Sequence, residues 1–449
     1  NSYDGGAATK QYYYDSSINS TTYDIYYIPS TLKSVIVTGG NILYGAFYNC
    51  SSLTSIEIPD SVTSIGAGAF YNCRRLTSIE IPDSVTSIGD SAFSSCSALT
   101  SIEIPDSVTS IGSYAFGGCS ALTITNLEIS SNVTNIGEGA FNGWKNLTSI
   151  TIPFVGAKAG KASPYIIQYP FGYIFGTSKY DGGVSTKQYY YASSTSSNTY
   201  DTYYIPSTLK SVIVTGGNML YGSFYNCSSL TSIEIPDSVT SIDGAFCNCR
   251  SLTSIEIPVS VTNIGYSAFR GCSRLTSIGI PDNVTSIGSY AFSGCSALTS
   301  IGIPDNVTSI GSNAFSYCRS LTSIEIPDNV TSIGSYAFDG CSALTNIEIP
   351  DSITSIEECT FDSCTSLSTI ILPNNVISIG RCAFSNCHRL YYVYYMGTLN
   401  EWNSINIDGN DCLTSATRYY YSENKPTDTT YKYWHYVNGL PVVWNVDKN

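Results

Sequence analysis

Charge is scarce in this chain. Asp, Glu, Lys and Arg make up 12% of its 449 residues, about half the usual share. Positive charge is scarcer still: 20 Lys and Arg stand against 34 Asp and Glu, a net of −14. Nothing concentrates cations against phosphates, which excludes nucleic acid as a partner of the whole chain. Only 2 His are present, leaving little material for His-based metal or acid–base chemistry. There is no run of 18 apolar residues, so no membrane-spanning segment is expected. No glycine-rich phosphate loop leads into a helix. Ser is too evenly spread for any one to stand out as a nucleophile, and His388 merely follows one of many similar cysteines. These absences argue against an enzyme and against a cofactor. What is present, 43% hydrophobic and 13% aromatic residues, can bury a large core and excludes disorder.

Length alone suggests about three domains, but internal repeats override that prior. The run Leu76–Cys96 nearly recurs as Leu99–Cys119. Cysteines fall at positions 50, 73, 96 and 119, and again at 227, 249, 272, 295, 318, 341, 364 and 387. The step is 23 residues, shortened to 22 between Cys227 and Cys249. Phe70, Phe93 and Phe116, then Phe269 through Phe384, keep the same step. Leading leucines from Leu32 to Leu390 mark 15 candidate rungs. A longer period lies on top: Tyr3–Cys50 matches Tyr180–Cys227 without gaps at an offset of 177 residues. The second copy is preceded by Leu147–Thr177, and residue 1 is not Met. The chain is therefore expected to be a mature or truncated piece of a longer protein.

Within one rung, Leu76, Ile79 and Ile81 follow L-x-x-I-x-I. Strand alternation turns the two Ile inward and Ser78 and Glu80 outward. Pro82 and Asp83 punctuate a turn. Val85 and Ile88 form a second inward pair on a short strand. Ala92, Phe93 and Cys96 turn inward on a helical or 3₁₀ turn too short to stand alone. One rung cannot bury its own apolar face, whereas stacked rungs share a continuous core.

The pattern L-x-x-I-x-I-P-x-x-V-x-x-I-x-x-x-A-F-x-x-C resembles the BspA-like, Treponema-type leucine-rich repeat over most of residues 32–395. The Asn ladder usual in leucine-rich repeats is absent, with Pro and Asp at the turn instead. The resemblance implies a right-handed leucine-rich-repeat solenoid of α/β class, with 23-residue rungs. It implies a parallel β-sheet on the concave face, and short strands with helical or 3₁₀ turns elsewhere. It also implies a secreted or cell-surface protein that binds host or neighbouring-cell macromolecules, adhesin-like and non-catalytic. The second reading is a structural stalk or spacer presenting another domain. The expected partner is an extracellular protein or glycoprotein, and the expected state is a monomer.

The solenoid is assigned to residues 1–395, with β-hairpin insertions at about 1–28 and 154–206. Residues 396–449 are assigned to an aromatic C-terminal cap. The segment Phe154–Gly176 reads as an irregular loop. Trp402, Trp434 and Trp444 are read as cap residues, with a binding site as the alternative.

Candidate contact residues fall in two groups. Glu57, Glu80, Glu103 and Glu128, then Glu234, Glu256, Glu325 and Glu348, form an outward acidic column. Like charges on neighbouring strands oppose pairing, so the column is either a stripe for a basic partner or divalent cation, or a solvated face copied by duplication. Tyr189, Tyr190, Tyr191, Tyr203 and Tyr204 form a hairpin patch of rigid amphipathic rings, or else cover the rungs beneath. The 12 in-step cysteines are read as a buried column of free thiols. Cys359 and Cys382, 23 residues apart and off that column, are the candidate disulfide.

Overall fold

The computed structural model describes residues 6–15, 20–159, 169–192, 197–219, 221–427 and 430–444, without side chains at 6–26 and 190–199. The chain divides into two compact units, Asn1–Ser238 and Val239–Asn449. Each is a parallel-strand β-solenoid with turns of about 23 residues, about 16 turns in all, and very little helix.

Every regular rung has three sides. The second side carries the most continuous ladder. In the first unit Ser64–Ile65, Ser87–Ile88, Ser110–Ile111 and Asn135–Ile136 pair in parallel and in register. In the second unit Ser241–Ile242 through Ser332–Ile333 do the same. The third side is a chain of hydrogen-bonded turns instead of a helix. Ala92, Ser94 and Cys96 donate to carbonyls three residues back, while Ser91, Phe93 and Ser95 donate to the next rung at 2.7 Å. Alternate amides thus serve the rung and the stack.

That alternation bends the backbone into the left-handed region twice per rung, at Ser91 (φ 53°) and Ser95 (φ 63°). Equivalent positions hold Gly118, Gly271, Gly294 and Gly340, but also Tyr114, Tyr290, Tyr317, Tyr336, Cys359 and Cys382. Cys359 and Cys382 are therefore turn residues; both are free in this structure.

The first side departs from the expected sheet. The L-x-x-I-x-I segments alternate inward and outward, with Ile79 and Ile81 buried. Beside a Glu of the column, a ladder forms where the outward residue opposite is neutral and branched: Ile36 beside Glu57, Thr151 beside Glu128, Ile213 beside Glu234 and Ile371 beside Glu348. Strand pairing lapses from Glu80 to Glu103 and from Glu256 through Gly279 and Gly302 to Glu325. Opposed like charges and glycine both disfavour pairing there. The Thr positions take over the stitching: Thr77, Thr100 and Thr123 each donate both N–H and Oγ1 to the Thr carbonyl of the preceding rung.

Side chains also lock successive rungs. After the Pro-Asp turn, Ser84 and Ser107 donate to Val62 O and Val85 O, and Asn283, Asn306 and Asn329 donate to the preceding rung at 2.8 Å. An Asn/Ser ladder therefore exists at a position other than the usual one. Inside, Phe47, Phe70, Phe93 and Phe116 stack with centroids 5.2–5.4 Å apart. Phe246 through Phe384 repeat this in the second unit. Offset parallel rings suit this repeat spacing.

The cysteine column does more than fill space. Cys96, Cys119, Cys295, Cys318 and Cys341 each donate Sγ–H to the Phe carbonyl of the rung before, at 3.2–3.3 Å. Trp144, in the cysteine position, donates Nε1–H to Phe116 O at 3.2 Å. The larger donor thus keeps the same hydrogen bond. Burial pushes the thiol of Cys50 up to about 11, and those of Cys119 and Cys318 up to about 12. These thiols stay protonated, as a donor must.

The segment expected to be an irregular loop completes a rung. After Ser149–Ile152, Ala157 and Ala159 close the second side against Ile136 and Thr134, and the 3₁₀ turn Phe171–Phe175 supplies the third. Phe141 donates to Ile174 O, and Phe171 donates to Ser223 O. Residues 160–168 lie outside the described residues. The hairpins pair Gly6–Asp15 with Ser20–Pro29, and Gly183–Ala192 with Ser197–Pro206.

At the C-terminal end, Tyr392–Tyr395, Thr417–Tyr421, Tyr433–Val437 and Leu440–Val443 extend the first-side sheet. The last two form a hairpin turning at Asn438 and Gly439. A capping box starts the short helix Leu399–Ser404. Buried Asn410 ends the third-side ladder: its Oδ1 accepts from Phe384 N at 2.8 Å, and its Nδ2 donates to Gly380 O and Asp408 O. One side chain replaces the next rung.

Two measurements test this account. Ser95→Gly relieves a left-handed residue and raises stability by about 0.5–1 kcal/mol, whereas Gly118→Val at φ 75° lowers it by about 2 kcal/mol, read from urea midpoints. Alkaline pH tests the thiols. Burial holds their folded pKa values at about 11 to 12, above the ordinary thiol range, so their contribution is complete below about pH 9. It is lost as pH rises toward 12, where the unfolded chain ionises first. The urea midpoint falls over that window. At pH 8, alkylation of the native protein reaches half-exposed Cys382 and Cys412 and spares the buried column; intact mass reads the count.

Candidate functional site

The outward acidic column is real and solvent-facing. Glu57, Glu80, Glu103, Glu128 and Glu234 in the first unit are exposed, as are Glu256, Glu325 and Glu348 in the second. They protrude because each sits between two inward-facing residues of L-x-x-I-x-I. Where the ladder lapses, grooves open between successive rungs. One groove of about 540 Å³ is lined by Glu80, Glu103, Asp83, Ile79 and Ile102. The next, of about 510 Å³, is lined by Glu103, Glu128, Asp106 and Ile102. In the second unit Glu325, Glu348, Asp328, Asp351 and Tyr436 border one of about 630 Å³. Asp83, Asp106, Asp328 and Asp351, which follow the turn Pro and read from the sequence as turn formers, thus also rim these grooves.

Glu348 differs from the rest. The Tyr436 hydroxyl, on the C-terminal hairpin, donates to its Oε1 at 2.6 Å. Burial and this carboxylate both push the Tyr436 hydroxyl well above its ordinary range, burial first. Glu348 is thus engaged by the C-terminal segment, while Glu80, Glu103 and Glu325 make no hydrogen bond to any described protein group. Among the described residues no group of three or more His, Cys, Asp or Glu is placed to hold a metal ion.

The tyrosine patch does not stay together. Tyr203 is 1% exposed and packs on Gly172; it is a core residue and unavailable for contact. Tyr189 is half-buried, with its ring against Tyr200 and Tyr225. The Lys187 ammonium lies 3.4 Å from the Tyr200 ring centroid, a cation–π contact that holds the hairpin face. Tyr204 is partly exposed, and the side chains of Tyr190 and Tyr191 lie outside the described residues. Gln188, which sequence reasoning passed over, anchors the hairpin. Fully buried, it accepts from Gly172 N at 2.6 Å and donates to Tyr225 O at 2.8 Å. The only hint was a lone amide within a tyrosine run.

The tryptophans close the C-terminal end. Trp434 is fully buried and donates Nε1–H to Tyr395 O. Trp402 is 4% exposed beneath the Arg418 guanidinium, 4.1 Å from its ring. Trp444 stacks on His435 and donates to Ser422 O.

Comparison with known proteins agrees with this architecture. The profile of the BspA type leucine rich repeat region matches residues 40–162, 218–343 and 289–414, with 6 copies. No curated protein matches the chain. A leucine-rich repeat protein from Bacteroides ovatus is similar at 25% identity, covering 93% of this chain and 100% of its own, with a TM-score of 0.53. The leucine rich repeat protein of T. pallidum is 31% identical over 36% of this chain and 78% of its own, at a TM-score of 0.34. A leucine rich cell surface protein from Faecalibacterium prausnitzii is 27% identical over 91% of this chain and 99% of its own, at 0.33. Inward Leu, Ile, Ala, Phe and Cys in 23-residue rungs, together with a profile match over most of the length, place this chain in the BspA type leucine-rich repeat family.

Proposed function

We propose that the protein is a non-catalytic, adhesin-like binding protein of the cell surface or extracellular space. In this reading the acidic outward face of its rungs engages a host or neighbouring-cell macromolecule. One observation carries it: Glu80, Glu103 and Glu325 are exposed beside grooves and lack a protein hydrogen-bond partner among the described residues. Such carboxylates suit Lys and Arg side chains of a basic extracellular protein or glycoprotein. Buried, protonated thiols resist oxidation, which is consistent with life outside the cell. No helix among the described residues is long and apolar enough to cross a membrane.

The test is binding of the full chain to a panel of basic matrix proteins at two salt concentrations, compared with the Glu80→Gln, Glu103→Gln, Glu325→Gln triple variant. Affinity falls about tenfold in the variant, from roughly 0.5 kcal/mol per exposed charge pair, and falls with salt. Equal affinities for both proteins would remove the acidic face from the interaction. Absence of binding to every panel member would favour the spacer reading.

A further inference from the structure

The two tandem copies present the same rung face in two environments. Residues Thr31 to Val37 are identical to Thr208 to Val214, and Phe47 corresponds to Phe224. In the second copy this face is covered. Ser149–Ile152 pairs in parallel with Ser211–Val214. Phe171 lies 5.0 Å from the Phe224 ring and donates its amide to Ser223 O. Thr208 Oγ1 donates to Leu147 O at 2.7 Å. The Lys210 amide donates to Thr148 O, and the Thr215 amide to Ile152 O. Leu209, Val212 and Phe224 are consequently 0% exposed.

In the first copy the same residues face outward. Leu32 is 37% exposed, and Val35 and Phe47 are half-exposed. A small apolar cavity is lined by Ile28, Leu32, Val35, Phe47, Cys50 and Leu53. The amides of Lys33 and Thr38 have no hydrogen-bond acceptor among the described residues. An apolar patch bordered by unpaired strand amides is an association surface.

We infer that the Leu32–Phe47 face is a docking site for a further leucine-rich-repeat rung with the chemistry of residues 147–177. That rung lays an Ile strand beside Val35, sets a Phe over Phe47, and supplies carbonyls to the Lys33 and Thr38 amides. The argument rests on the second copy, where identical acceptor residues hold such a rung.

The test lengthens the full chain by a copy of residues 147–177 joined ahead of Asn1, which corresponds to Ser178. Hydrogen exchange is then read at the Lys33 and Thr38 amides, with Lys210 and Thr215 as internal references. Docking slows Lys33 and Thr38 by at least 100-fold, to within about tenfold of the references. Placing Ile150→Asp and Phe171→Asp in the added copy abolishes the slowing. Unchanged exchange at Lys33 and Thr38 while Lys210 and Thr215 stay protected would overturn the inference. So would protection that survives both Asp substitutions. Sedimentation of the unlengthened chain adds a third arm: a dimer in which Lys33 and Thr38 are already protected would make a second copy of the chain the occupant.

Discussion

Each rung has two flat faces of apolar side chains, and neither can be buried by the rung that owns it. Contact between successive rungs is therefore the interaction on which the rest depends. The Phe stack supplies apolar area. Hydrogen bonds from Cys Sγ, Thr Oγ1, Ser Oγ and Asn Nδ2 hold the register, because each reaches a carbonyl of the rung before. In a repeat array stability is a sum of such neighbour terms. The lapsed first-side ladder is consequently tolerated because the same rungs keep their second-side, Thr and Phe contacts with their neighbours.

The lapse links folding to function. Outward Glu and Gly weaken strand pairing where they face one another, and the same substitutions open grooves rimmed by carboxylates. Core and second side carry the stability, which leaves the first side free to vary. The ends show the complementary problem. Asn410, Trp434 and Trp402 complete the final rung with groups borrowed from outside the repeat. The hairpin at 183–206 and the turn Phe171–Phe175 do the same in mid-chain, where Gln188 and Tyr203 turn a break in the period into part of the core.

The resemblance of the repeat to a known family supplied the fold class, and nothing in the geometry redirected it. Local chemistry was harder to read. A cysteine column looks like small hydrophobes in a sequence. That the thiols donate is visible only once Phe carbonyls are seen to lie above them, and Trp144 is the position where the sequence hinted at a donor requirement. The Asn/Ser ladder was not legible because its position holds Ser in some rungs and Asn in others, beside an Asp that reads as the turn former. Glycines before the cysteines hinted at positive φ, but Tyr317 and Ser95 at the same place obscured the signal.

By itself the sequence determined the rung length, the identity of the inward residues and the tandem duplication, because a 23-residue period leaves one consistent way to bury Leu, Ile, Ala, Phe and Cys. Tertiary structure decided which of the candidate contact residues remain accessible. Tyr203 went into the core and Glu348 to Tyr436, while Glu80, Glu103 and Glu325 kept their carboxylates free of partners among the described residues. Such choices depend on what other segments place opposite a side chain, across separations such as the 88 residues between Glu348 and Tyr436, and no local pattern encodes them.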